Sequence, residues 1–182
     1  VILITQDKHG SANPDREVSA IYSPGTNLQY NKTFNSNYLA CIYLENFKFL
    51  STGKKGISVG FSIVDVSTGE NKLFETASKQ EDIYYAIDEL YRLLQVYEPK
   101  EVLIYLNNHF TIEQDTLINQ LELSKTTYYF KEQASEHGNK LYQEEMLNKV
   151  FKVKTNLSVF EYLHLERQDI SLKSYVCLLK FA

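Results

Sequence analysis

The chain has 182 residues, 43% hydrophobic and 23% charged, enough to bury one sizeable core. Lys and Arg number 19 against 23 Asp and Glu, a net charge of −4. With no basic run beyond Lys54–Lys55, this argues against the broad phosphate-binding surface that duplex DNA demands and leaves room only for a local contact. No apolar run approaches the about 20 residues of a membrane helix. Cys41 and Cys177 have neither metal-ligand nor redox spacing, so we expect a soluble, intracellular chain with two buried free thiols and no membrane contact.

Val1–Gln6 is apolar from its first residue, without a polar lead-in. It predicts a buried strand cut from a longer protein, and Val1–Ile4 is too short for a signal peptide. Asp7–Asp15 is a polar loop, and Glu17–Tyr22 alternates as a strand. In Ser23-Pro24-Gly25-Thr26, Pro24 and Gly25 suit positions i+1 and i+2 of a type II turn. Residues 28–37 are Asn-rich and aperiodic, a linker into a new domain.

Tyr38–Leu44 is apolar throughout, as a strand buried on both faces would be. Phe47–Gly56 is expected as a loop. In the next strand Ile57, Val59, Phe61 and Ile63 alternate with Ser58, Gly60 and Ser62, which predicts one apolar face. Ser67, Thr68 and Gly69 form a short hairpin loop with Gly69 at the left-handed position, and Asn71–Thr76 returns antiparallel.

Ser78-Lys79-Gln80-Glu81 has the pattern of a capping box. Behind it Ile83, Ala86, Ile87, Leu90, Leu94 and Tyr97 keep helical spacing up to Pro99. Glu101–Leu106 is a buried strand. Thr111–Gln114 offers a second capping box before a helix carrying Leu117, Ile118 and Leu121, and Thr126–Phe130 is a short aromatic strand. After a loop from Glu132 to Asn139, a helix runs through Leu141, Met146, Leu147 and Val150. Ser158–Glu161 is a third capping box, with Leu157 and Tyr162 placed as a hydrophobic staple. From Asp169 a last helix sets Leu172, Tyr175, Val176 and Leu179 along one stripe.

Three hairpin-linked strands followed by alternating helices and strands predict an α/β fold with a mixed sheet flanked by helices, the order of a ribonuclease H-like domain. A nuclease of that fold needs carboxylates on its first strand and beyond, to hold two cations about 4 Å apart. The predicted first strand, Tyr38–Leu44, has none, and Glu45 falls just past its end. Asp65 before Ser67-Thr68-Gly69 also resembles the phosphate loops of actin-like ATPases. Only one glycine is present, however, and a turn stabilised by Asp65 and Ser67 side-chain bonds is the simpler account. Gly53-Lys54-Lys55-Gly56 lacks Walker spacing and precedes a strand. His9, His109, His137 and His164 are scattered singly, which suits surface or locally bonded rings. No metal or catalytic set is expected.

Four stretches in order carry a family resemblance: Asp15-Arg16-Glu17-Val18, Ser23-Pro24-Gly25-Thr26, Asn37-Tyr38-Leu39-Ala40 and Asp65-Val66-Ser67-Thr68-Gly69-Glu70. Glu98-Pro99-Lys100-Glu101 adds a fifth. Together they resemble the MutS DNA mismatch repair family. The resemblance implies that residues 1–27 end a mismatch-recognition domain and 28–37 are a linker. Residues 38–152 would be a ribonuclease H-like connector domain, and 153–182 would open the helical core (lever) domain. It further implies no catalytic, cofactor or metal residues in this segment. Pro24, Gly25, Asp65, Ser67, Thr68 and Gly69 would serve as structural turns. ATP and Mg would bind only in an ATPase domain of the full-length protein, which would act on mismatched double-stranded DNA as a homodimer with a MutL-like partner. Ser23 in place of the usual Thr and the divergent linker suggest a distant lineage, viral or organellar. The competing expectation is a metal-dependent phosphoesterase or actin-like nucleotide binder that uses Asp65.

Overall fold

The structure is a computed structural model that describes residues 2–6, 16–22, 37–106, 110–152 and 156–182. Two N-terminal strands, β1 (Ile2–Gln6) and β2 (Arg16–Ile21), pair antiparallel. The strand expected to be buried is open instead: Ile2, Leu3 and Ile4 are 62%, 46% and 58% exposed. The expected turn at Pro24–Gly25 and most of the linker lie outside the described residues, as do His9 and His109.

The larger sheet has five strands: β3 (Tyr38–Lys48), β4 (Lys55–Asp65), β5 (Asn71–Ala77), β6 (Glu101–Leu106) and β7 (Thr127–Glu132). Their spatial order is β5-β4-β3-β6-β7. β3, β4 and β5 are antiparallel neighbours, whereas β6 joins β3, and β7 joins β6, in parallel. This is the mixed sheet that the element order predicts. The hairpin turns keep the first three strands adjacent, and each later parallel strand needs a crossover. The crossovers are α1 (Tyr85–Tyr97) and α2 (Gln114–Gln120).

β3 and β4 are longer than the apolar pattern suggests and pair from Tyr38↔Asp65 to Lys48↔Lys55. The predicted loop at Phe47–Gly56 therefore shrinks to residues 49–54. Gly56 permits the extension: a Cβ there would sit 2.5 Å from the Phe47 ring. Glu45 accordingly lies inside the first strand of this sheet, not beyond it.

The alternation along β3 feeds two cores. Ala40, Ile42 and Leu44 meet Ile57, Val59, Phe61 and Ile63 of β4 under α1 and α2, where Ala86, Ile87, Leu90 and Leu117 are buried. Leu39, Cys41 and Tyr43 face the other way, towards Leu172, Tyr175, Val176 and Cys177 of α5 (below). β4 is thus not one-sided, because Ser62 is fully buried on the second face.

That second face is covered by α3 (Lys140–Val150), the short α4 (Val159–Tyr162) and α5 (Asp169–Phe181). The sequence assigns α5 to a following helical domain. In the structure it packs on β3 and β4, and its first turn lies against Gly60, where a Cβ would be 2.2 Å from the Ile170 carbonyl oxygen. Glu75 of β5 supplies the cap that α5 lacks locally. Its Oε2 accepts from the backbone N–H of Ile170 at 2.8 Å and of Ser171 at 2.9 Å, and from the Ser171 hydroxyl at 3.2 Å. A carboxylate there satisfies orphan donors and opposes the positive end of the helix dipole. Deeper in the seam, Ser174 donates to the Cys41 carbonyl at 2.7 Å, so the Ser62 hydroxyl, 2.8 Å away, donates to Ser174.

Two expected capping boxes do not form. The Ser78 hydroxyl accepts from the Ile57 N–H at 2.9 Å and lies 2.5 Å from the Ile83 carbonyl, so it ties β5 to β4. Asp82 instead accepts from Tyr84 and Tyr85 at the start of α1. Glu113 stands at the α2 N-cap without a side-chain bond, and Thr111 donates to Asn46. The box at Ser158 and Glu161 is present in both directions. Its staple is loose, with Leu157 and Tyr162 53% and 50% exposed.

The close approach at Gly60 makes a specific prediction. Gly60→Val must push the α5 backbone off the sheet and should lower unfolding free energy by about 3 kcal/mol or more in urea melts. Glu75→Ala, which removes only the cap, should cost about 1 kcal/mol.

Candidate functional site

The β4–β5 hairpin that carries Asp65 is built by that residue. Asp65 is 3% exposed, and its Oδ1 accepts from the Ser67 N–H at 2.9 Å and the Asn37 N–H at 3.1 Å. Its backbone carbonyl accepts from Thr68 at 3.3 Å and Gly69 at 2.7 Å. Gly69 takes φ +78°, the left-handed conformation in which a Cβ would be strained. The Thr68 hydroxyl accepts from the Glu70 N–H at 3.2 Å. Burial pushes the Asp65 carboxyl up. The N–H groups of Ser67 and Asn37 and the hydroxyls of Thr68 and Ser67 outweigh it and hold the group below its ordinary value. The acid joins the start of β3 to the end of β4 by accepting across 28 residues of sequence.

A second acid, Glu45, sits on the α5 side of β3. It pairs with Lys173 at 2.7 Å, both side chains partly buried. Lys173 and Glu45 line a shallow cavity of about 340 Å³ with Tyr43, Gln133, Ser135 and Gly138. Gln133 donates to the Leu44 carbonyl at 2.6 Å, closing the end of this crevice. Crevices of this kind, beyond the carboxyl ends of parallel strands, are where open α/β sheets bind ligands. A cation at Glu45 would have to displace the Lys173 ammonium. Among the described residues, no group of three His, Cys, Asp or Glu side chains could hold a metal ion.

His137 shares that region. It is buried, stands edge-on to Tyr43 and Tyr105 at 5.8 and 5.2 Å, and accepts at Nδ1 from the Ala134 N–H at 3.3 Å. Burial lowers its pKa, so the ring is neutral, with its proton on Nε2. Cys41 and Cys177 are free and buried. Burial raises both thiols, Cys177 to about 12, which leaves them unreactive as nucleophiles. Among the described residues, Asp65 and Glu45 are brought together neither with each other nor with a third acid. The crevice partners Lys173 and Gln133 went unread in the sequence, because no local pattern marks a contact made across 128 or 89 positions.

Asp65→Ala leaves two backbone donors without their acceptor and should cost about 1–3 kcal/mol. Asp65→Asn keeps an acceptor and should cost less. Because the folded carboxyl is held low, its contribution is complete above the unfolded value near pH about 3.9 and disappears as pH falls through the folded value. Urea midpoints measured from pH 6 to 2 should therefore fall less steeply for Asp65→Asn than for the parent chain.

The model of MutS domain II matches residues 37–182. A putative DNA mismatch repair protein, a mutS homolog of Acanthamoeba polyphaga mimivirus, is 29% identical over 203 aligned residues, which take in 100% of this chain. The chain spans 18% of that relative's length. Among solved structures, the fowlpox virus Holliday junction resolvase aligns with 79% of this chain and 97% of its own, at 12% identity and a TM-score of 0.39. T. thermophilus RuvC in complex with Holliday junction substrate aligns over 78% and 91%, at 10% identity and the same TM-score of 0.39. Neither structural likeness is close enough to bear on function. The family match covers every strand of the five-stranded sheet and both layers of helices, and the chain belongs to the MutS family.

Proposed function

We propose that this segment is a non-catalytic, ribonuclease H-like connector of a mismatch repair protein. It relays state between a mismatch-binding domain and an ATPase domain and offers a surface to a partner such as a MutL-like protein. The full-length protein would bind mismatched double-stranded DNA as a homodimer and hydrolyse ATP with Mg; this segment would contribute no cofactor ligand. We place the connector from Asn37 through α5, extending the 38–152 boundary drawn from the sequence, because α5 completes the second face of the sheet.

The observation that carries the reading is the use to which Asp65 is put. Its carboxylate is committed to the Asn37 and Ser67 N–H groups, so it acts as a strut between the chain leading into the sheet and the first hairpin. Family membership supports the repair assignment, and the strand order supports the fold. A relay also needs stiffness, and a sheet packed on both faces transmits a displacement better than one packed on a single face.

Two experiments test this. With Mg or Mn and branched or duplex DNA, parent, Asp65→Asn and Glu45→Gln chains should show the same background. Metal-dependent cleavage that vanishes in Asp65→Asn would establish the phosphoesterase alternative. In the full-length protein, Glu75→Ala should leave ATP turnover without DNA unchanged. It should reduce the stimulation of turnover by a mismatched duplex several-fold, within the usual range of coupling energies. Unaltered stimulation would remove the relay.

A further inference from the structure

The hairpin between β3 and β4 ends in a cationic tip with an apolar point. Lys48 on β3 stands directly opposite Lys55 on β4 in the ladder, and Lys54 precedes Lys55. All three lysines are exposed. Among the described residues, none of them has a carboxylate within ion-pair distance. Like charges directly opposite each other destabilise an antiparallel pair. Residues 46–64 carry no acid, so nothing within the hairpin balances these charges. Glu45 is paired with Lys173, and on the adjoining turn Asp82 accepts from the Tyr84 and Tyr85 N–H groups. The tip is braced from several sides. The Lys54 carbonyl accepts from the Phe49 N–H at 2.9 Å, and the Phe49 carbonyl from the Gly53 N–H at 2.7 Å. Gln80 donates to the Ser51 hydroxyl at 2.8 Å, and the Phe47 and Phe49 rings pack edge to face at 4.8 Å. This loop holds out Leu50 fully exposed, at a place where turn residues are usually polar or glycine.

Two unfavourable features thus meet at one point, an opposed pair of cations and a solvated leucine. A polyanion that carries apolar surface between its charges relieves both. Duplex DNA has that chemistry, with phosphates along both walls of a groove and sugars and base edges between them. Its major groove, about 12 Å wide, admits a two-stranded β-ribbon. An anionic lipid surface also offers charge, but binding there scales with buried apolar area, and one leucine supplies little. We propose that the β3–β4 tip is a contact for duplex DNA, with Lys48, Lys54 and Lys55 on phosphates and Leu50 against the groove interior. The contact is a local one, in keeping with the net charge of −4, and its phosphate part carries no sequence information. The choice of DNA among polyanions rests on the mismatch repair reading above.

The 182-residue chain is titrated against a fluorescently labelled DNA duplex by anisotropy, over a series of NaCl concentrations. Three phosphate contacts predict that log affinity falls with log salt at a slope of about −2.7. Lys48→Ala with Lys55→Ala should bring the slope to about −0.9 and weaken binding at the lowest salt about tenfold or more. Lys125→Ala with Lys131→Ala removes the same charge next to and within β7 and should leave slope and affinity unchanged. Leu50→Ser should weaken binding about threefold at every salt concentration without altering the slope. Lys55→Glu places opposite charges across the ladder, so it should weaken binding while melting at the same or a higher temperature than the parent. Weaker binding is then no sign of a lost fold. Polyglutamate and phosphatidylserine vesicles should compete with the labelled duplex far less well than unlabelled duplex does. Equal competition by polyglutamate makes the tip a site for an acidic polypeptide, and equal competition by vesicles makes it a lipid contact; either result overturns the proposal. So does a salt slope that the tip substitutions leave unchanged. The connector reading is decided separately, by the mismatch-stimulated ATP turnover described above.

Discussion

The architecture depends on the absence of a side chain at Gly60. The first turn of α5 approaches β4 so closely that its Ile170 carbonyl carbon would be 2.4 Å from any Cβ at that position. At this distance the helix backbone touches the sheet backbone, and the neighbouring contacts must be small and polar. Ser171 and Ser174 are fully buried there, and Ser62 answers from the sheet. A seam of hydroxyls in a core is costly unless each one is matched. Here Ser62, Ser174 and the Cys41 carbonyl form a short chain of bonds, and Ser171 reaches Glu75 and Gln168. Glu75 then closes the system by capping the helix from a different strand. The position of α5, and with it the whole second layer, is over-determined: shape, polar pairing and capping all select the same seat.

That same seam explains where sequence patterns were informative and where they were blind. Strand existence and order were legible, because a buried strand such as Tyr38–Leu44 and a Gly-centred turn such as Ser67–Gly69 are local signals. The polar alternation Ser58, Gly60, Ser62 was legible as a pattern but misleading as a burial forecast. Small polar residues on a strand predict solvent, and they fit equally well under a helix that comes within backbone contact. The capping motifs divided for a related reason. Ser158 and Glu161 bond to each other's backbone, so adjacent residues settle the outcome. The Ser78 hydroxyl has a competing acceptor and donor in Ile57, 21 positions away, and tertiary geometry wins. Asp65 was the most legible of the site residues, since its bonds to Ser67 and Thr68 are made within its own turn. Its bond to Asn37 had no local signature.

The two acids nearest the places where chemistry would sit are each committed to a structural partner, and the commitments differ in kind. Asp65 meets only donors without net charge, and those donors still hold it ionised against its burial. Such an arrangement favours a fixed geometry over a movable charge. Glu45 meets Lys173, a full charge on the helix that also sits against Gly60, so the pair bonds β3 to the same element that Glu75 caps from β5. Three strands therefore hold α5 by three distinct interactions: a carboxylate at its N-terminus, a hydroxyl bridge along its middle and an ion pair beside that bridge.

A helix anchored in this way is held against the sheet by contacts that would be lost together. Any displacement of its first turn breaks the Glu75 bonds and opens the Gly60 contact at the same time. Interfaces of this type respond to force as switches, either seated or released, because packed surfaces do not deform continuously. For the connector proposed above, that property would matter more than any single residue's reactivity. A load carried on the far end of α5 would be passed on to the sheet that this helix covers. On that proposed reading the function would rest on the stiffness of the polar seam, and the carboxylates are parts of that stiffness.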